Sequence, residues 1–164
     1  MPLLRYPLFF LLLLCYGGNA TAQGFSVTGT VGYAVPILDN GGGFHAGVNP
    51  FYDIGNYFAV EGQVSYARVE VNGGFLSGEQ SIDKSFNVLV GPRLYFTSPA
   101  RKVRPYINAL VGLNSFNSER INRDDVQNTM LGISVGAYAS IRQFVVGFAL
   151  ETDGLVALKG GYAF

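Results

Sequence analysis

Charged residues are scarce in this chain, making up 13% of its 164 residues, whereas a typical soluble domain carries about 25%. Basic and acidic residues are equal in number, at 11 each, so there is no cationic excess to neutralise the phosphates of a nucleic acid. The single cysteine excludes a disulfide scaffold. The apolar content of 49% and the absence of net charge exclude a disordered chain.

The first 22 residues have the pattern of an export signal. One basic residue, Arg5, precedes the apolar run Leu8–Cys15, and Ala20-Thr21-Ala22 follows, which predicts cleavage before Gln23. The run is too short for a spanning helix of about 20 residues, which disfavours a retained anchor. The bulky Leu14 before Cys15 disfavours a lipoprotein signal. We therefore predict a signal peptide at 1–22, a domain at 23–164 and a mature chain without cysteine.

Beyond Gln23 the apolar residues recur with a period of two, as in strands that have two different faces. Phe25, Val27, Val31 and Tyr33, for example, alternate with small or polar residues. No charge falls on the apolar phase within the predicted strands, although Arg68, Glu70 and Lys84 join it if strands three and four are extended. The alternation predicts eight strands at about 24–36, 44–54, 57–67, 85–97, 103–114, 128–142, 143–151 and 155–164.

Along each predicted strand the apolar side chains are bulky and the polar-face side chains are mostly small. This difference indicates which solvent each face meets. Strands can cross a bilayer only as a closed barrel, because every backbone polar group must be paired there. Such barrels have even strand numbers and short periplasmic turns opposite longer outer loops. Here the odd links are long and the even links short, except for the seventh. The predicted fold is an all-β, eight-stranded antiparallel transmembrane barrel, with a secreted lipocalin-like barrel as the alternative.

Aromatic residues on the apolar phase fall near the strand ends. Phe25 and Tyr33 are eight residues apart, or roughly 26 Å at about 3.3 Å per residue. Strand tilt brings this spacing close to the roughly 25 Å apolar band of outer-membrane barrels. The predicted periplasmic row is Phe25, Phe58, Phe96, Phe144 and Phe164, and the predicted outer row is Tyr33, Phe44, Tyr66 and Phe86.

With these features the chain resembles the small eight-stranded outer-membrane barrels of Gram-negative bacteria, the OmpA/OmpX-like and opacity-protein-like group. The resemblance is carried by Val60-Glu61-Gly62, by Val90–Leu94 and above all by Lys159–Phe164. In that group a terminal Phe with an aromatic residue two positions earlier, here Tyr162 and Phe164, is the signal read by the barrel-assembly machinery. Three prolines inside strands, Pro50, Pro92 and Pro105, are expected to mark bulges or strand ends, since a closed barrel has no edge to hold them.

The inward phase carries charges that need partners if they are buried. Glu61 and Arg93 lie on adjacent predicted strands at similar heights, so we predict an ion pair between them. The predicted interior polar network comprises Glu61, Arg93, Lys159, Gln63, Tyr106 and Tyr138. A barrel of eight strands is just wide enough for its own side chains, so we expect a plug and no diffusion pore. A proton or ion path is the alternative.

These observations predict an integral protein of the cell outer membrane with a structural or surface-interaction role. Its expected partners are outer-membrane lipid and the assembly machinery, without nucleic acid, and we expect no catalytic residue, metal ligand or cofactor. The alternative of a lipid-modifying enzyme would need His45, which falls on the inward phase without a serine placed to pair with it. Two segments are candidates for contacts outside the barrel: the mixed-charge loop Asn114–Gln127 for a surface ligand, and Arg101, Lys102 and Arg104 for lipid phosphates.

Overall fold

A computed structural model describes residues 24–72, 80–120 and 126–164. The predicted signal peptide and its cleavage site lie outside these residues. Eight strands form one closed antiparallel barrel in which each strand pairs with its neighbours in the chain and β8 pairs with β1. The strands are β1 (Phe25–Pro36), β2 (Asn40–Asp53), β3 (Phe58–Asn72), β4 (Gln80–Tyr95), β5 (Val103–Arg120), β6 (Val126–Ile141), β7 (Phe144–Glu151) and β8 (Leu155–Ala163). The described ranges contain no helix that is long and apolar enough to cross a membrane.

The barrel has two rims of different form. The end that carries links 54–57, 96–102 and 142–143 is called the inner rim here, and the opposite end is called the outer rim. Strands β3, β4, β5 and β6 project at the outer rim beside the shorter β7, which ends at Glu151, paired with Ser134, while β6 begins at Val126. β2 borders this projection and pairs with β3 up to Asn40–Asn72. We call this projection of β3, β4, β5 and β6 the outer extension.

The outer extension corrects several predicted strand boundaries. The segment predicted as the loop Asn114–Gln127 is largely a ladder, with β5 and β6 paired from Asn114–Met130 up to Ser118–Val126. β3 and β4 likewise pair up to Asn72–Gln80 and carry Arg68, Glu70 and Lys84 as strand residues. The first link, predicted to be long, spans only 37–39, because β2 begins at Asn40. Beyond the apolar band neither face of a strand needs apolar residues. The strands therefore continue there without the apolar–polar alternation by which the sequence predicts them.

The three strand prolines all lie close to the inner rim. Pro50 and Pro92 are three residues from the ends of β2 and β4, and Pro105 is the third residue of β5. The ladder is interrupted beside Pro50 and beside Pro92 and then resumes in the same register. The expected bulges are therefore absent from these described strands. A missing N–H costs little there, since an unpaired position near a strand end lies close to water.

The side chains divide between the two faces as the period of two predicts. All nine aromatic residues of the two predicted rows are exposed on the outside of the barrel, and Tyr33 pairs with Phe44 and Tyr66 with Phe86 across neighbouring strands. The inside holds the buried polar residues together with apolar and aromatic ones. Two apolar layers close the interior, one of Phe51, Ala59, Tyr95, Tyr106, Tyr138, Val145 and Ala149 and one of Ala34, Ala67, Val69, Val71, Leu155 and Ala157.

Two glycines provide a matched test of the register. A Cβ at Gly112 would lie 2.1 Å from the carbonyl oxygen of Val88, whereas a Cβ at Gly160 would meet nothing within 4 Å. Gly112→Ala should therefore destabilise the barrel by about 1–3 kcal/mol, the usual cost of overpacking against atoms that cannot move aside. Gly160→Ala should change stability by less than about 0.5 kcal/mol. Urea unfolding midpoints of the two variants check this, and equal midpoints would contradict the register of β4 and β5.

Candidate functional site

Four buried side chains from four strands form a polar layer near the inner rim. Glu61 Oε2 accepts hydrogen bonds from Arg93 Nε at 2.8 Å and from Asn108 Nδ2 at 3.0 Å, and Glu61 Oε1 accepts one from Asn49 Nδ2 at 2.8 Å. All four residues are buried. Three donors therefore compensate the desolvation of a single carboxylate, as a buried charge requires. We call this group the Glu61 cluster.

Aromatic rings enclose the guanidinium of Arg93 in the Glu61 cluster. The guanidinium carbon lies 4.0 Å from the ring centre of Phe51 and 4.3 Å from that of Tyr106, and Nη1 donates a hydrogen bond to the Tyr95 hydroxyl at 3.2 Å. Tyr138 stacks on Tyr106 with ring centres 5.1 Å apart. Cation–π contacts of this kind are strongest where water is excluded. The charged and aromatic groups thus pack against one another inside the barrel at this height.

A second carboxylate joins five strands nearer the outer rim. Glu151 Oε1 accepts hydrogen bonds from Lys159 Nζ at 2.7 Å and from Gln63 Nε2 at 3.2 Å, and it lies 3.2 Å from His45 Nε2. Glu151 Oε2 accepts one from Asn87 Nδ2 at 3.2 Å. Because its partners stand on β2, β3, β4 and β8, Glu151 of β7 connects opposite walls of the barrel. We call this group the Glu151 cluster.

The structure divides the six residues of the predicted network between the two clusters. Glu61 and Arg93 are hydrogen-bonded, and Tyr106 and Tyr138 lie beside them. The other two, Lys159 and Gln63, belong to the Glu151 cluster. Five further members of the clusters were not in the predicted network, although their inward phase was a signal for them: Asn49, Asn108, His45, Asn87 and Glu151.

His45 is fully buried inside the barrel and therefore does not reach the lipid-facing surface. Its recorded side-chain partner is the carboxylate of Glu151. Within the described ranges no serine hydroxyl is hydrogen-bonded to the His45 ring. The serine–histidine pair considered for a lipid-modifying enzyme is thus not formed at His45 among the described residues.

Arg104 turns into the mouth of the barrel at the inner rim. Its Nη1 lies 3.8 Å from Asp53 Oδ2, its Nη2 donates to the carbonyl of Asn56 at 2.8 Å, and its guanidinium carbon is 3.3 Å from the ring centre of Tyr95. The recorded partners of Arg104 are thus protein groups at this rim, and its contact with lipid phosphates stays a prediction. Arg101 and Lys102 remain exposed in the adjoining link.

The C-terminal residues close the seam between β8 and β1. The backbone N–H of Phe164 donates to the carbonyl of Val27 at 2.8 Å, and the hydroxyl of Tyr162 donates to Gln143 Oε1 at 2.6 Å. The rings of Tyr162 and Phe164 lie 4.9 Å apart, and that of Phe144 is 5.5 Å from Tyr162. Tyr162 and Phe164, the residues of the predicted assembly signal, thus belong to an aromatic group at the inner rim, on the outside of the barrel.

Polar groups replace the apolar surface on the outer extension. Lys84 and Glu119 form an ion pair on its outer surface, and on its inner surface Asp83 Oδ1 accepts hydrogen bonds from Ser81 at 3.0 Å and Ser118 at 2.6 Å. A cavity of about 130 Å³ opens below it, beside the turn that carries Asp153. Burial raises the pKa of Asp153 above its ordinary value. The outer extension thus carries polar groups on both of its surfaces.

No protein-family model matches the sequence, and no curated protein matches it either. Several solved structures have the same fold, each a small eight-stranded outer-membrane barrel. Neisserial surface protein A is 18% identical with a TM-score of 0.61, covering 88% of this chain and 98% of its own. The attachment invasion locus protein Ail of Yersinia pestis is 22% identical with a TM-score of 0.56, covering 87% and 100%.

A third structure, the N-terminal β-barrel domain of Pseudomonas aeruginosa OprF, is 19% identical with a TM-score of 0.51, covering 87% of this chain and 98% of its own. Each likeness extends over nearly the whole of both chains. The chain therefore has the fold of a small outer-membrane barrel, as its resemblance to the OmpA/OmpX-like group implied.

The Glu61 cluster generates a stability prediction. Glu61→Ala leaves the buried Arg93 guanidinium without its anion and should cost about 3–5 kcal/mol of unfolding free energy. The double variant Glu61→Leu, Arg93→Met removes both charges and should recover most of that loss. As a control, Lys84→Ala breaks the partly exposed pair with Glu119 and should cost less than about 1 kcal/mol. Urea titrations in detergent measure all three, and a double variant no more stable than Glu61→Ala would contradict the ion pair.

Proposed function

We propose that this chain is an integral protein of the bacterial outer membrane, with a structural or surface-interaction role and no open pore. The observation that carries the proposal is the inverted distribution of side chains. Val31 and Leu113 are 60% and 63% exposed on the outside, whereas Glu61 and His45 are 1% and 0% exposed inside. Exposure of this apolar belt to water would be unfavourable, whereas lipid provides the apolar surroundings that it needs. A lipocalin-like barrel needs the opposite arrangement.

The inner rim faces the periplasm in this proposal, and the outer extension faces the outside of the cell. Short periplasmic turns and taller outer hairpins are the rule in such barrels, and the two tall hairpins β3–β4 and β5–β6 both rise from the outer rim. The predicted leader at 1–22 supports export. Outer-membrane lipid then surrounds the apolar belt between the two aromatic rows.

The two polar clusters support a closed interior. The Glu61 cluster and its rings obstruct the barrel near one rim, and the Glu151 cluster ties opposite walls together further up. A lipid-modifying activity is disfavoured by the buried position of His45 against Glu151. Lipid A from cells with and without the protein should accordingly have the same composition.

Heat-modifiable gel mobility tests the membrane proposal directly. The mature chain, extracted in detergent, should run at a different apparent size when it is loaded unheated, because the closed ladder persists in detergent until it is boiled. Reconstituted in planar bilayers, the same protein should give no large steady conductance. A mature chain that dissolves without detergent as a compact monomer would contradict the proposal, and a large steady current would contradict the closed interior.

The C-terminal strand is proposed to engage the barrel-assembly machinery through Tyr162 and Phe164. The double variant Tyr162→Ala, Phe164→Ala should therefore reduce the amount of protein assembled in the outer membrane and leave unfolded chain in the periplasm. Phe144→Ala is the matched control, because it removes a ring from the same aromatic group without altering β8. Fractionated cells, analysed for the heat-dependent mobility shift, check this prediction. Equal losses in both variants would indicate a purely structural aromatic contact.

A further inference from the structure

A cavity of about 130 Å³ lies at the outer mouth of the barrel. One side of it is formed by the first link, 37–39, and by the turn between β7 and β8. A backbone hydrogen bond ties these two segments together, because the N–H of Ile37 donates to the carbonyl of Gly154 at 2.8 Å. The other side is the inner surface of the outer extension, to which β3, β4 and β5 contribute. We call this space the mouth cavity.

Three half-buried carboxylates line the mouth cavity, those of Asp39, Asp83 and Asp153. They stand on three separate segments, which are the first link, β4 and the β7–β8 turn. No lysine, arginine or histidine is among the described residues that line the space. The Glu61 and Glu151 clusters differ in this respect, because each contains its own cation. The mouth cavity therefore concentrates negative charge that the described side chains around it do not balance.

Asp153 is the least compensated of the three acidic residues. Both of its carboxylate oxygens are buried, and neither has a recorded hydrogen-bond partner within the described ranges. Burial raises the pKa of Asp153, and the nearby Ser85 hydroxyl offsets this rise only in part. Asp83 differs, because two serine hydroxyls donate to its Oδ1. A carboxylate in the position of Asp153 is stabilised by a cationic donor, and the described lining residues do not provide one.

Apolar side chains form much of the remaining wall of the mouth cavity. Val71 and Leu155 are buried in the apolar layer nearer the outer rim, and Phe116 of β5 lines the same space. A space of this volume accommodates one small molecule, since a cavity of about 150 Å³ binds benzene. The mouth cavity therefore combines an apolar wall with a buried carboxylate that has no counter-ion among the described residues.

We propose that the mouth cavity binds a small aliphatic amine in its ammonium form, with the ammonium group at Asp153 and the alkyl stem against the apolar wall. An ammonium group is a compact cation with three N–H donors and no acceptor. It therefore supplies both the charge and the donors that Asp153 lacks. A short alkyl stem gains free energy by leaving water for an apolar wall. The charges of Asp39 and Asp83 add to the attraction, because a mouth lined by one sign of charge concentrates ions of the other sign.

Other classes of ligand fit the mouth cavity less well. An anion would meet three carboxylates, and a neutral alcohol would leave the charge of Asp153 uncompensated. A calcium ion takes about six to eight oxygen ligands, several of them carboxylates. Among the residues that the structure describes, no group of three or more His, Cys, Asp or Glu residues is close enough to hold a metal ion.

The inference rests on the proposed function only for the compartment, which makes the ligand an amine that arrives from outside the cell. Binding to the protein in detergent does not depend on that orientation. Loss of the heat-dependent gel shift in the parent protein would contradict membrane integration. Absence of amine binding by a protein that keeps the shift would contradict only the ligand proposal.

Asp153→Asn tests the charge while keeping the shape of the side chain. Glu119→Gln is the matched control, because it removes a carboxylate from the same rim, on the outer surface of the outer extension where Glu119 pairs with Lys84. Asp83→Asn removes a second charge from the mouth cavity and keeps Asp153, so it provides an independent test if Asp153→Asn does not fold. Each folded variant should retain the heat-dependent gel shift of the parent protein.

NMR titration of the labelled protein in detergent gives the decisive readout. n-Butylammonium chloride should shift the amide signals of Gly154 and Leu155 saturably, with a dissociation constant of about 1 mM or below. Butan-1-ol at the same concentrations should not, nor should sodium chloride at matched ionic strength. Asp153→Asn should weaken binding about tenfold or more, and Asp83→Asn about threefold. Glu119→Gln should weaken it less than about twofold.

Four results would overturn the ligand proposal. The absence of a saturable shift with n-butylammonium would show that the mouth cavity does not take an amine. Equal shifts with butan-1-ol would show apolar binding without an ion pair. Unchanged affinity in Asp153→Asn, or in Asp83→Asn if only that variant folds, would place the amine elsewhere. Calcium chloride that gives the same shifts at lower concentration than the amine would assign the site to a metal ion.

Discussion

Hydrogen bonding of the backbone is the constraint on which the rest of this structure depends. A strand that crosses hydrocarbon must pair on both sides, and closure of β8 onto β1 is the step that completes the pairing. Once the ring is closed, every strand has one face toward lipid and one toward a narrow interior. The scarcity of charge follows from this geometry, because half of each spanning segment must be apolar.

The interior meets the opposite requirement, since its charges must be compensated without water. Two carboxylates do this in different ways. Glu61 gathers an arginine and two amides from β2, β4 and β5, whereas Glu151 reaches across the barrel to a lysine, a histidine and two amides. Partners that stand on opposite walls hold the cross-section in one shape. The interior is thus a set of cross-links between the strands, in keeping with the predicted plug.

The fold could be predicted from the sequence because the period of two is strong wherever lipid contacts the strands. The strand ends beyond the lipid-facing band were harder to predict, because β3 and β4 do not show the apolar alternation there, as at Arg68 and Lys84. The ion pair between Glu61 and Arg93 could be predicted because β3 and β4 form one hairpin. The hairpin fixes the height of one residue along the barrel relative to the other. Lys159 was misplaced because its height depends on the closing register, Gly32 against Lys159. How far the last strand slides along the first is set by the shear of the whole ring, which no single hairpin in the sequence defines.

Two of the three prolines near the inner rim mark where the wall depends on side-chain contacts. Pro50 and Pro92 remove bonds between β2 and β3 and between β4 and β5, and the register continues past them. Glu61, Arg93 and Asn108 stand directly on the rim side of these interruptions. The Glu61 cluster connects β2, β3, β4 and β5 at that height. Hydrogen bonds inside the barrel thus join the same four strands where backbone bonds are missing from the wall.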